Sequence, residues 1–265
     1  MATYIEGCNA QYAGRAGVLA KADLVTGMVG EFPELQGIIG GYYARQDGEA
    51  DSVASAIATH YRPQGPTDDV PETPTAKAVA LADKIDTLVG FFGIGAKPTG
   101  SKDPYALRRY TIGLVRLIIE NKIKIKLRSI INYSLTLYKE QGFEFDITKV
   151  LKELNYFILE RLKNYSKENN IRLDIIEGSI SENDIDELYN GFKKAEVLNK
   201  NISKELGQNV VGIYKRSSHI LKSEISKNKI ELSNSVDSGL FKNDFEKNFD
   251  KKISEVRKYF VNVGK

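Results

Sequence analysis

The sequence predicts an all-α protein made of two helical domains. Three observations carry that prediction. Apolar residues recur at helical spacing through most of the 265 residues. Alternating β-branched runs are short, and no Asn-Gly or Asp-Gly pair joins two such runs as a hairpin would. Proline and glycine gather between the periodic segments instead of interrupting them.

Taken in order, "AGRAGVLAKADLVTGMVGEF" sets Val18, Leu19, Ala22, Val25 and Val29 on one helical stripe. A second helix is expected from Pro33 through Tyr43, and "DSVASAIATHY" is a third. Pro63, Pro66, Pro71 and Pro74 mark a loop. A fourth helix covers Ala76 to Phe92, a fifth runs from Pro104 to about Asn121, and a sixth from Leu127 to Gln141. Gly142 to Asp146 is the expected boundary, giving domains 1–143 and 144–265. Beyond it, Leu151, Leu154, Ile158, Leu162 and Tyr165 form the stripe of a long amphipathic helix. "SENDIDELYNGFKKAEVLNK" and "NVVGIYKRSSHILKSEI" give two more, and a last helix is expected near Asp244 to Val261.

Composition narrows the function. The single cysteine, Cys8, excludes a disulfide framework and a cysteine-based zinc site. His60 and His219 are the two histidines and lie far apart, which argues against a histidine-rich metal centre. No apolar run approaches the ~20 residues of a membrane span, and the start of the chain has no signal-peptide pattern. A soluble cytoplasmic protein is expected, with no membrane partner. Charge is uneven. Residues 1–100 carry 7 Lys+Arg against 12 Asp+Glu, and residues 101–265 carry 31 against 23. A basic second half is compatible with nucleic acid. It is equally compatible with a general bias toward Lys and Asn.

The stretch "GIGAKPTGSKDPYALRR", Gly93 to Arg109, has the look of a phosphate cradle. Gly95 and Gly100 have P-loop spacing, but Ser101 and Lys102 follow in reversed order and Asp103-Pro104 intervenes. Asp103 is a good N-cap and Pro a favoured first helical residue, so a carboxylate is expected where a phosphate would sit. The loop is read as a turn that starts a helix. One of Arg108 and Arg109 is expected to reach an internal carboxylate such as Asp23, Asp83 or Asp86, and the other to face solvent.

Three stretches together resemble the beta subunit of bacterial glycyl-tRNA synthetase: Ala20 to Glu49, Ala80 to Arg109, and Phe157 to Gly178 followed by "IYKRSSHIL". The resemblance spans about residues 10–225. It implies an aminoacyl-tRNA synthetase: a tetramer of two alpha and two beta subunits that joins glycine to tRNA(Gly), with ATP and Mg used by alpha. It implies an HD-like helical domain followed by part of a helical domain similar to the anticodon-binding domain of arginyl-type synthetases. The chain lacks the longer N-terminal region of that subunit and stops short of its usual C-terminus, so it is read as a fragment. With no class I signature and no class II arginine set, it is expected to be inactive alone and to bind no cofactor.

The resemblance also identifies residues. Asp23 stands where an HD pair would end, Ala22 replaces its histidine, Asp83 matches the later Asp, and neither histidine sits in a position to serve. Two carboxylates without imidazole make a poor transition-metal site. Asp23 and Asp83 are therefore expected to pair with arginine or cap a helix, and Asp86, Asp103, Arg108 and Arg109 are counted structural with them. The candidate tRNA-binding residues are Arg161, Lys163, Lys215, Arg216 and His219, with Lys97 and Lys102 in the glycine-rich loop. A degenerate HD phosphohydrolase and a purely structural module that docks on alpha are the alternatives.

Overall fold

The computed structural model describes residues 1–180, 185–228 and 236–263, with side chains described through residue 258. The described residues are all-α, as expected, with twelve α-helices and no named strand. Their packing divides the chain into two units, Met1–Gly207 and Gln208–Lys265.

The first unit is built round α5 (Pro74–Gly93). Its sequence, "PTAKAVALADKIDTLVGFFG", is apolar on most of its circumference, and eleven of its residues are buried. Such a helix is stable only when surrounded. It packs against α1 (Ala10–Leu19), α4 (Asp51–Thr59), α6 (Leu107–Glu120), α7 (Leu127–Glu140) and α8 (Ile147–Glu168). On one side lies a small alanine-rich cluster of Ala16, Ala20, Ala44, Val53, Ala54, Ala56, Ile57, Ala76 and Val79. Here α3 (Ile38–Gln46) lies close on α4. A Cβ added at Gly41 would meet Ala58 Cβ at 2.7 Å and Ala54 O at 2.8 Å. On the other side a larger cluster runs from Ile5 through α5 to α8. It ends on α9 (Leu173–Ser179) and α10 (Leu188–Asn201).

That cluster passes through the turn expected to separate two domains. Gly142 ends α7 with φ 90°. Phe143 and Phe145 then fold back on the Tyr138 ring, at centroid distances of 5.7 and 5.4 Å. Phe145 also fills the space over Gly93. The aromatic residues of "GFEFD" thus fasten α8 to α5 and α7, and residue 143 lies inside the first unit.

The first expected stripe is broken. Val18 is 77% exposed and Val25 92%. The helix stops at Leu19, a 3-10 turn spans Ala22–Val25, and α2 (Gly27–Glu31) starts afresh. Thr26 makes the break: its hydroxyl donates to Asp23 O at 2.7 Å and accepts from Val29 N–H. The second expected helix likewise begins late. A 3-10 turn holds Pro33–Leu35, and Gly37 (φ 79°) precedes α3.

The second unit contains most of α11 (Glu205–Asn228) and all of α12 (Asp244–Val263). Both are amphipathic by sequence, and none of the described side chains from Gln208 onward is fully buried.

Candidate functional site

The glycine-rich loop after α5 is shaped by its own backbone. Gly95 and Gly100 take φ of 75° and 51°, and Thr99 pairs with Lys102 across a tight turn. The helix that follows starts at Leu107, three residues later than expected, because Ala106 turns left-handed (φ 53°). Asp103 still caps it. Its two oxygens accept from Leu107 N–H at 2.8 Å and Arg108 N–H at 3.0 Å. The amides that would cradle a phosphate are thus bound to a carboxylate.

Neither arginine reaches the internal acids, which corrects the expected pairing. Arg108 turns back on its own loop. Its Nη2 donates to Gly100 O at 2.5 Å, and Nη1 lies 4.0 Å from Asp103. Arg109 is exposed and borders a 460 Å³ groove with Arg116 and Tyr165. Asp86 meets no arginine either; its main-chain oxygen accepts from Tyr138 Oη at 3.2 Å, and burial raises its carboxyl pKa.

The candidate tRNA-binding residues fall into two groups. Lys97, Lys102, Arg161 and Lys163 belong to the first unit. Lys97 is paired with Glu153 on α8. Lys163 is held by Glu160 at 2.9 Å and Glu177 at 3.0 Å. The Arg161 guanidinium lies 5.2 Å from the Phe157 ring, and burial and the Arg108 charge lower its pKa. Lys102 is exposed. Lys215, Arg216 and His219 stand on α11 in the second unit, all exposed, beside Tyr214 at 72%.

Asp23 and Asp83 sit in a more constrained setting. Asp23 is 2% exposed and its Oδ2 accepts from Gly37 N–H at 2.6 Å, which ties it to the residue that precedes α3. Asp83, on α5, binds Lys21 Nζ through Oδ1 at 2.7 Å. The same ammonium lies 3.0 Å from His60 Nε2 and 3.8 Å from the centroid of the Tyr61 ring.

Hydrogen-bond logic fixes the state of His60. Its Nδ1 lies 2.7 Å from Ile57 O, which can only accept, so Nδ1 carries the proton. An ammonium can only donate, so Nε2 accepts and the ring is neutral. Burial, with the neighbouring Lys21 charge, lowers the His60 pKa and favours the same state.

Sequence reasoning placed neither histidine near the HD-like acids. The fold brings His60 there, because α4 ends against the turn that holds Lys21 and against α5. The residues still do not fit a metal. An ammonium lies between imidazole and carboxylate, and no group of three His, Cys, Asp or Glu side chains among the described residues could hold an ion. No hydrolytic step follows from this centre.

Lys84 was also missed. It is 1% exposed, and its Nζ donates to Tyr61 O at 3.0 Å and Pro63 O at 3.3 Å. Its one signal was a lysine on the mostly apolar circumference of α5.

A family model described as glycyl-tRNA synthetase beta subunit matches residues 1–181. The glycine–tRNA ligase beta subunit of Cereibacter sphaeroides is 42% identical over 241 residues, which cover 91% of this chain and 35% of that protein. The one from Rhodospirillum centenum is 46% identical over 223 residues, covering 83% and 30%. The one from Ruegeria sp. is 41% identical over 233 residues, covering 88% and 32%. This chain therefore spans about a third of the length of the relatives it matches, and it belongs to the glycyl-tRNA synthetase beta subunit family.

Proposed function

We propose that this chain is a non-catalytic, tRNA-binding part of a glycine–tRNA ligase beta subunit. Its partners on this reading are the alpha subunit, which uses ATP and Mg to activate glycine, and tRNA(Gly), in the cytoplasm. Residues 1–143 would correspond to the HD-like region and 144–265 to part of the anticodon-binding-like region.

The observation that carries RNA binding is the exposed run Tyr214, Lys215, Arg216 and His219 on α11. Cations there are open to phosphate, and the rings can stack on unpaired bases. Among the described residues no ion pair ties Lys215 or Arg216, in contrast to Lys97 and Lys163. The test is binding of the chain to glycine-specific and unrelated tRNAs across salt. Weak binding that falls steeply with salt is expected, together with no glycine-dependent ATP–pyrophosphate exchange. Failure to bind either tRNA at low salt would sink the reading.

A second role, docking on alpha, is favoured by a different observation. Val18, Val25, Phe32 and Tyr42 expose 77%, 92%, 50% and 62% of their surface on the first unit. Apolar and aromatic side chains form the centre of protein–protein contacts. Polar replacements at Val25 and Phe32 should weaken capture of alpha while leaving tRNA binding intact.

A further inference from the structure

Lys21 has three N–H donors, and three acceptors meet them from two segments: Asp83 Oδ1 on α5 at 2.7 Å, and, from consecutive residues after α4, His60 Nε2 at 3.0 Å and the face of Tyr61 at 3.8 Å. His60 has an anchor besides Lys21, and Asp83 is buried on α5. The Asp83 side chain is only 8% exposed, and His60 is fully buried with its Nδ1–H fixed on Ile57 O. Acceptor capacity is in surplus at the centre. Asp83 Oδ2 and Asp23 Oδ1 are both buried without a hydrogen-bond partner. The lysine is by contrast the loosest member, with 44% of its side chain exposed. It borders a groove of 690 Å³ walled by Ala13, Gly14, Gly17 and Ala82. A Cβ at Gly14 or Gly17 would meet nothing within 4 Å.

We infer that α4 and α5 form a binding site for a primary ammonium, and that Lys21 is its tethered occupant. The site selects that class by geometry. Separations of 2.7 and 3.0 Å are hydrogen-bond lengths, whereas zinc needs ligands near 2.0–2.2 Å. A neutral imidazole lone pair, a carboxylate oxygen and an aromatic face suit three N–H bonds on one nitrogen. A quaternary ammonium could use the ring but neither of the other two. The positive charge a metal would bring is thus supplied by the chain itself, and it joins the α1–α2 corner to α4 and α5.

Chemical rescue tests this independently of tRNA binding. Lys21→Ala keeps Cβ and empties the rest of the side chain toward the groove. Its melting midpoint should fall by about 4 °C or more, roughly a tenfold change in the folding equilibrium for a chain of this size. Ethylammonium at tens of millimolar should restore at least half of that loss. Tetramethylammonium and sodium chloride at equal ionic strength should not, and the parent should respond to none of the three. A Lys21→Ala variant that melts with the parent, or equal effects of ethylammonium on both, would overturn the inference. So would stoichiometric Zn²⁺ or Mn²⁺ in the parent that disappears in His60→Ala. Should Lys21→Ala fail to fold, nitrogen NMR of the parent decides. His60 must be the Nδ1–H tautomer with Nε2 accepting; the opposite tautomer rejects the site.

Discussion

The ammonium of Lys84, a residue 1% exposed, donates to the main-chain oxygen of Tyr61 at 3.0 Å. That bond, and a second to Pro63 O at 3.3 Å, fastens the start of the proline loop to the middle of α5. The charge is carried by two carbonyls and by the Tyr110 ring, whose centroid is 4.9 Å away. No carboxylate touches it, so burial lowers its pKa from 10.5 to about 8.

Stability should therefore rise with pH from about 8 upward. Between the folded value near 8 and the unfolded value of 10.5 the unfolded chain binds more protons, so raising pH favours the fold. The full shift corresponds to about 3 kcal/mol. Above about pH 10 the gain reverses. Burial holds Tyr138 up to about 12 and raises Tyr110 further, so the unfolded chain ionises these phenols first. Denaturant midpoints from pH 7 to 11 should show this maximum, and Lys84→Met should flatten its rising limb. A parent whose midpoint falls steadily from pH 7.5 would contradict the assignment.

In acid the sign is the same and the group is His60. Its folded pKa is lowered, so its contribution is complete above its unfolded value of 6.5 and is lost as pH falls below it. His60→Gln should reduce the loss of stability between pH 6.5 and 5. An unchanged slope would show that the imidazole is not held neutral.

The two HD-like acids should behave differently from each other. Asp23→Asn weakens the acceptor for a buried main-chain N–H and should cost about 1–3 kcal/mol. Asp83→Asn should cost less, about 1 kcal/mol, because Lys21 is near enough to the surface to turn into water. Equal and large losses at both sites would mean that Lys21 cannot reorient.

Two glycine substitutions should have opposite signs. Gly14→Ala sits inside α1 with nothing within 4 Å and should stabilise by about 0.5–1 kcal/mol. Gly41→Ala meets the backbone of α4 at 2.8 Å and should destabilise by about 1–3 kcal/mol or more. Thermal melts of the two variants suffice, and a neutral Gly41→Ala would mean that α3 can lift from α4 at little cost.

For RNA, the contrast lies between α11 and α8. Replacing Lys215 and Arg216 by Ala should reduce the salt slope of tRNA binding by about one for each phosphate left without its cation. Arg161→Ala should instead lower the melting midpoint through its packing on Phe157, with a smaller effect on the slope. The reverse pattern would move the RNA surface to the first unit.

The sequence alone determined the helical character of the chain, because periodicity and capping are local. The α8 stripe, with Leu154, Ile158 and Leu162 buried, and the cap by Asp103 could be read directly. Family membership was equally legible, since it rests on long runs of residue identity. What tertiary structure decided lies where residues distant in sequence compete. Asp103 still capped α6, but the left-handed Ala106 delayed its start. Thr26 broke a continuous stripe by accepting from Val29 N–H as the N-cap of a new helix. The aromatic residues of "GFEFD" form a packed corner, because they found Tyr138 and Gly93 to cover. His60 lies 39 residues from Lys21 and 23 from Asp83, and no spacing rule links the three. Only the close stacking of α3, α4 and α5, allowed by glycine and alanine at their crossings, brings an imidazole, a carboxylate and an ammonium within hydrogen-bond distance.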